Sequence, residues 1–66
     1  MDGEIQNIFL ERGFGFIRAK SGIKYYFKAT SLRNATMEQL EVGQDVTFED
    51  SQSKGLETAD DVWIVK

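Results

Sequence analysis

The sequence contains two phenylalanines at alternate positions and, further along, a tyrosine, all with basic residues nearby. The rings could stack on flat molecules, and the basic side chains could bind their negative charges. Phe14 and Phe16 lie two residues apart, and Tyr26 follows in a second apolar run. Exposed rings stack on nucleic-acid bases at about 1–3 kcal/mol per base, and neighbouring Lys or Arg side chains bind phosphates. These residue types therefore favour non-covalent binding of single-stranded RNA or DNA.

The charge distribution supports this interpretation although the net charge is −3. The stretch 12–33 contains basic residues and no acidic one, whereas the stretch 37–66 is strongly acidic. Salt screens exposed charges over about 8–10 Å, so a local basic patch can bind phosphates on an acidic protein. The cations that we predict to contact phosphates or base edges are Arg12, Lys24, Lys28 and Lys54.

The composition argues against catalysis. The chain has no His and no Cys, which excludes the common nucleophile–base pairs and the usual zinc ligands. A Ser–Lys pair stays open in principle, but the Gly13-Phe14-Gly15 spacing completes neither a dinucleotide fingerprint nor a phosphate-binding loop. We therefore expect a binding protein that is not an enzyme and that uses no metal or cofactor.

Turn signals at Gly-containing dipeptides divide the chain into short apolar runs rich in β-branched and aromatic residues. Several short strands with regular turns predict an all-β sandwich or barrel, and 66 residues make one domain, 1–66. A barrel also removes the exposed edges of so small a sheet. The predicted strands lie near 3–10, 14–19, 23–29, 44–49 and 57–64.

The alternation of side chains in the second and third predicted strands gives each strand one apolar face and one face that mixes rings with cations. Cations are rarely buried without a partner, so the mixed faces are predicted to be exposed and to merge if the strands pair. We expect Gly13 and Gly15 to leave open space beside the rings. The mixed faces are Phe14, Phe16, Arg18 and Lys20, then Lys24, Tyr26 and Lys28; opposite them lie Gly15, Ile17 and Ala19, then Tyr25, Phe27 and Ala29.

Two stretches depart from simple alternation. Strand one carries apolar residues at both parities, which predicts a bulge or bend, with Ile5 in the core and the directions of Ile8 and Phe9 left open. The segment 36–39 matches one capped helical turn.

No apolar run approaches the roughly 20 residues needed to span a bilayer. The N-terminal residues Met-Asp-Gly-Glu are acidic and polar, unlike a signal peptide. We expect a cytoplasmic protein without membrane contact, present as a monomer or weak dimer.

One six-residue motif carries a family resemblance. Arg12-Gly13-Phe14-Gly15-Phe16-Ile17 resembles the first ribonucleoprotein motif of bacterial cold-shock domains, typically Lys-Gly-Phe-Gly-Phe-Ile. The resemblance extends over nearly the whole chain and implies a five-stranded OB-type barrel that binds single-stranded RNA or DNA, often as an RNA chaperone or transcriptional regulator. Its other parts are Gly3-Glu4-Ile5, the stretch 40–49, and Lys54-Gly55 followed by Ala59 and Val62.

Several family rings are replaced in this divergent sequence. The second motif, typically Val-Phe-Val-His-Phe-Ser, is here the stretch 25–30, in which Lys28 replaces the histidine and Ala29 a phenylalanine. Asn7 stands where a tryptophan is usual and Met37 where a loop phenylalanine is usual, so the resemblance assigns both to the binding surface. Losing two stacking rings would weaken binding by two or more orders of magnitude.

These replacements leave an alternative function open. The barrel could have lost most of its nucleic-acid affinity and could mediate protein–protein interaction instead. It would then use its acidic C-terminal half or its remaining aromatic face.

Overall fold

Five β-strands account for most of the chain in the computed structural model, which describes residues 1–53 and 55–65. The only helical segments among these residues are 3₁₀ turns of three residues, at Leu10–Arg12, Ala29–Ser31 and Met37–Gln39. The all-β class is therefore confirmed, and no described helix is long enough to cross a membrane. The strands are β1 (Asp2–Phe9), β2 (Phe14–Ala19), β3 (Lys24–Lys28), β4 (Asp45–Ser53) and β5 (Leu56–Ile64).

The strands close into a barrel in the order β1-β2-β3-β5-β4, with β4 pairing back onto β1. Four of the neighbouring pairs are antiparallel. The exception is the β3–β5 pair, which is parallel and is reduced to the single register pair Tyr26 and Thr58. The prediction of a small five-stranded antiparallel OB-type barrel is confirmed, except that this one seam is parallel.

The bulge predicted in strand one is present in β1. Ile5 lies opposite Ile17 of β2, but the next register pair is Asn7 with Phe16, so Gln6 is an extra residue. Such an insertion reverses the parity of the residues that follow it. Ile5 therefore faces the core before the bulge, while Asn7 faces outward after it.

The same parity change settles the two directions that the sequence left open. Ile8 lies opposite Gly15 and packs against the core. Phe9 lies opposite Phe14 on the outer surface and is 40% exposed. The second half of β1 thus contributes a ring to the outside of the barrel.

The core comes from the inward faces of all five strands and from the connection between β3 and β4. The prediction for β2 and β3 holds as far as Phe27, but Ala29 is exposed because β3 ends at Lys28 and Ala29 opens a 3₁₀ turn. The buried residues are Ile5, Ile17, Ala19, Tyr25, Phe27, Met37, Leu40, Val46, Phe48, Ala59, Val62 and Ile64.

The connection between β3 and β4 is bonded to β5 through one side-chain amide. The Asn34 Nδ2 group donates to the Ile64 carbonyl at 3.0 Å, and the Ile64 N–H donates to Asn34 Oδ1 at 2.8 Å. This pair imitates a backbone ladder and extends the pairing of β5. Nearby, the Arg33 N–H donates to the carbonyl of Val62, and Leu32 forms an isolated bridge with Val62.

Candidate functional site

Four aromatic rings form one continuous patch on the outer surface, which we call the aromatic platform: Phe9, Phe14, Phe16 and Tyr26. Phe9 and Phe14 are nearly parallel, with ring centroids 4.8 Å apart and an interplanar angle of 23°. Tyr26 lies 5.3 Å from Phe14. Phe16 meets the other three at steep angles, with centroid separations of 6.0 to 6.2 Å.

The strand register explains why these rings meet. Phe9 is directly opposite Phe14, and Phe16 is directly opposite Tyr26. Directly opposed side chains have Cβ atoms about 4.5–5.5 Å apart, which is contact distance for rings. Phe14, Phe16 and Tyr26 are partly buried because each ring covers part of its neighbours. The platform therefore presents ring faces and edges to solvent without entering the core.

Exposed cations border the platform. The Nζ atom of Lys24 lies 4.4 Å from the centroid of the Phe16 ring, a cation–π contact. Lys28 is directly opposite Phe14 at the end of β3. Arg12 is exposed at the end of the 3₁₀ turn that joins β1 to β2. Rings and positive charges thus share one surface, as the sequence predicted.

Asn7 occupies an edge of the same surface. It faces outward after the β1 bulge, directly opposite Phe16, and is partly buried. Its side-chain amide contains both a donor and an acceptor. The position that lacks the usual ring therefore offers hydrogen bonds beside the platform.

The two glycines of the motif differ in the space beside them. A Cβ on Gly13 would meet only the Cβ of Ala29, at 4.0 Å, so the space expected there is open. A Cβ on Gly15 would overlap the backbone oxygen of Asn7 and lie 2.7 Å from Cζ of Phe27, so the interpretation of Gly15 as a ligand-side gap is wrong. Gly13 has φ of 72° and ends the 3₁₀ turn, a left-handed conformation that suits glycine. Gly13 sets the turn just before Phe14, and Gly15 allows the backbone between Phe14 and Phe16 to pack closely against Asn7 and Phe27.

The structure does not place every predicted contact residue on the outer surface. Met37 is only 7% exposed and packs in the core, because its 3₁₀ turn directs the side chain inward, so its assignment to the binding surface is corrected. Lys54 lies outside the described residues. Sequence reasoning missed Phe9, and the signal that could have identified it was the bulge, since placing the extra residue at Gln6 puts Phe9 outward.

A shallow groove continues from the platform across the β3–β5 seam. It begins at Tyr26 and Lys28 and reaches Leu56, which is 50% exposed. Hydroxyl groups line much of it, and hydroxyls can bond to sugar and phosphate oxygens. The remaining lining residues are Thr30, Ser31, Ser51, Thr58 and Asp60.

The surroundings of the buried Tyr25 raise the pKa of its phenol. Burial, followed by the negative charges of Glu57 and Asp50, raises the pKa of its phenol above 10.0, so the hydroxyl stays protonated near neutral pH. That hydroxyl donates to the Met1 sulfur at 3.7 Å. Within residues 1–53 and 55–65, no group of three metal-ligating side chains is close enough to hold a metal ion.

Comparison with known protein families gives a match over nearly the whole chain. The family model described as the 'Cold-shock' DNA-binding domain matches residues 1–65. No curated protein matches the chain significantly. The match covers all five strands and every residue of the platform.

Proposed function

Because this chain belongs to the cold-shock DNA-binding domain family, we propose that it binds single-stranded RNA or DNA on the aromatic platform. The observation that carries the proposal is the group of four rings, Phe9, Phe14, Phe16 and Tyr26, on one outer surface beside exposed cations. The family is a non-enzymatic, nucleic-acid-binding one, so binding is the activity to explain.

The ring geometry supports stacking of successive bases. Phe14 lies between Phe9 and Tyr26, with tilts of 23° and 32°, so three rings share similar orientations. Every base has a flat face, and stacking on an aromatic ring contributes about 1–3 kcal/mol whatever the base. The platform therefore suits low-specificity binding of unpaired strands, since paired bases keep their faces stacked inside a duplex.

The cations would bind the backbone of the same strand. Lys28 is directly opposite Phe14 across β2 and β3, and Arg12 comes shortly before Phe14 in the chain. Both cations are exposed. Each phosphate that they neutralise releases counterions, which makes affinity fall as salt rises. Lys24 is oriented over Phe16, so it can reach a phosphate without leaving the platform.

Phe9 offsets part of the ring loss that the sequence indicates. The ring missing at Asn7 is followed two residues later by Phe9, which faces outward and stacks on Phe14. We therefore propose weak-to-moderate affinity rather than loss of binding. With low specificity, such a surface would hold RNA strands apart as a chaperone or act on transcription by binding exposed single strands.

Titration of the protein with labelled single-stranded oligonucleotides at two salt concentrations tests the proposal. We expect saturable binding that weakens with salt, poor binding to a duplex of the same sequence, and a loss of about 5- to 150-fold for Phe16→Ala. Leu10→Ala is the matched control, because Leu10 is 52% exposed and lies beside the platform without belonging to it. If the wild type binds no single strand at low salt, the protein-interaction alternative replaces this proposal.

A further inference from the structure

Trp63 is an exposed aromatic residue outside the platform. It lies on β5, directly opposite Thr47 of β4, and is 50% exposed. Thr47 is in turn opposite Asp2, at the start of β1, whereas the platform uses the end of β1 with β2 and β3. No ring of the described residues packs against Trp63. Half of a large apolar side chain is thus left in water on the other side of the barrel.

A shallow groove runs beside the indole. Its walls combine apolar and acidic groups with one cation, the Met1 ammonium, which donates to the Phe48 carbonyl at 2.6 Å. Asp61 is neutralised by Arg33, with Nε to Oδ1 at 2.7 Å, while Glu49 is exposed and has no ion-pair partner in the part of the chain that the structure describes. The lining residues are Met1, Thr47, Phe48, Glu49, Asp61 and Trp63.

Two like charges are directly opposed beside this groove. Glu49 is directly opposite Asp60 across β4 and β5, and both are exposed. Directly opposed like charges destabilise a sheet, so this surface carries an energetic cost that a cationic partner would remove.

We propose that Trp63 and its groove form a docking site for a cationic peptide segment of another protein, with an arginine side chain over the indole. Arginine is weakly hydrated and stacks on aromatic faces, and Trp is the ring that attracts cations most strongly. Glu49 and Asp60 would pair with neighbouring basic residues of the peptide. The apolar ring provides contact area, and the carboxylates of Glu49 and Asp60 determine the sign of the partner's charge.

This partner differs from that of the platform. Single-stranded nucleic acid carries a negative charge at each phosphate, so it would be repelled from Glu49 and Asp60. The four rings of the platform lie on β1, β2 and β3, whereas Trp63 lies on β5. Asp60 lies between the two surfaces, because it is opposite Glu49 and also lines the groove that continues from the platform. The docking site therefore does not rest on nucleic-acid binding and can be tested separately.

Trp63 reports on its own surface because it is the only tryptophan of the protein. Titration with a short peptide of alternating arginine and glycine at physiological salt should change its fluorescence to saturation. A peptide of alternating glutamate and glycine should leave the signal unchanged. Prior saturation with a single-stranded oligonucleotide should leave peptide affinity unchanged within about twofold, since phosphates bind elsewhere.

Two variants separate the docking site from general charge attraction, with a fluorescein-labelled peptide and anisotropy as the readout. Trp63→Leu keeps an apolar side chain and should weaken binding about 2- to 30-fold, the range for loss of a cation–π contact. Glu49→Lys should weaken binding further. Glu38→Lys changes net charge equally from an exposed position in the 3₁₀ turn Met37–Gln39 and should have little effect.

Thermal unfolding of each variant shows whether a loss of peptide binding comes from a loss of folding. Trp63→Leu should remain folded because the ring is outside the core, and Glu49→Lys should melt no lower than wild type because it removes a like-charge opposition. The proposal is overturned by unsaturable titration, by equal losses from Glu49→Lys and Glu38→Lys, or by unchanged affinity in Trp63→Leu. Concentration-dependent self-association abolished by Glu49→Lys would also overturn it and would make the occupant a second copy of this chain.

Discussion

The aromatic platform and the Trp63 surface are two outer faces of one barrel with opposite chemistry. The platform packs four rings together and borders them with Lys24 and Lys28, whereas Trp63 stands alone beside Glu49 and Asp60. Both are supported by the same inward residues. The difference shows that packing of the core determines which positions face outward but does not determine which residue types occupy them.

The charge separation follows from the order of the strands. The basic stretch 12–33 forms β2 and β3, and the acidic stretch from 37 onward forms β4 and β5. Basic and acidic side chains therefore lie on different strands of the barrel. β1 lies between them. One row of directly opposed residues crosses this boundary from Lys24 to Arg18, then Glu4, then Asp45. The sign of the surface therefore reverses within a single row.

The largest effect should come from the shared interior. Phe27 is 0% exposed. Its ring occupies the space beside Gly15 that the side chain of any other residue would need. Phe27→Ala should lower the free energy of unfolding by about 3–5 kcal/mol, enough to unfold most of so small a domain. Chemical denaturation measures this loss. Retention of near-wild-type stability would show that the two faces do not depend on a common core.

Phe14→Ala should separate binding from stability. The ring lies outside the core, so the variant should stay folded while oligonucleotide affinity falls by roughly 1–3 kcal/mol. A smaller stability loss is expected, because Phe14 contacts Phe9 and Tyr26. Thermal unfolding and oligonucleotide titration on the same sample make the test. An unfolded variant would mean that Phe14 supports the barrel and that the platform is structural.

Lys28→Glu reverses one charge of the platform and should make it resemble the opposite face. Affinity for all single strands should fall about equally, and the slope of log K against log salt should become shallower by about 0.7 for one lost phosphate contact. Titration of several oligonucleotide sequences over a salt series measures both quantities. A loss confined to one sequence would indicate that Lys28 contacts a base and does not bind the backbone.

Glu49→Lys should have the smallest effect, and its sign is informative. It replaces the opposition of Glu49 and Asp60 with an opposite-charge pair, which should raise the free energy of unfolding by about 0.2–1 kcal/mol. Asp50, the next residue, lies opposite the buried Ala59, so Asp50→Lys is a control that leaves the opposed pair intact. A lower stability for Glu49→Lys alone would show that the acidic face is not under strain.

The strand positions and the faces of β2 and β3 follow from sequence because they are local. Alternation determines which side chains share a face, and turn residues determine where strands end. The hairpin of β2 and β3 therefore brings Phe14, Phe16 and Tyr26 together as predicted. The predicted contact roles of these residues stay predictions until binding is measured.

The features that sequence reasoning missed all depend on contacts between distant residues. The need for glycine at position 15 comes from the backbone of Asn7 and the ring of Phe27, neither of which alternation identifies. Met37 turns inward because its 3₁₀ turn packs on the core. Phe9 faces outward only because of the bulge, whose position depends on pairing with β2.

The bulge at Gln6 has a consequence for how this chain can accept insertions and deletions. Residues before it and after it are in different alternation frames, so removing Gln6 would join the two frames and keep Ile8 inward and Phe9 outward, whereas inserting one paired residue after Gln6 would exchange the inward and outward positions from Asn7 to Phe9. Ile8 would then face water and Phe9 the interior. A shift of one residue in β1 therefore acts as a coordinated replacement of three side chains, a change that no single substitution in this strand can produce.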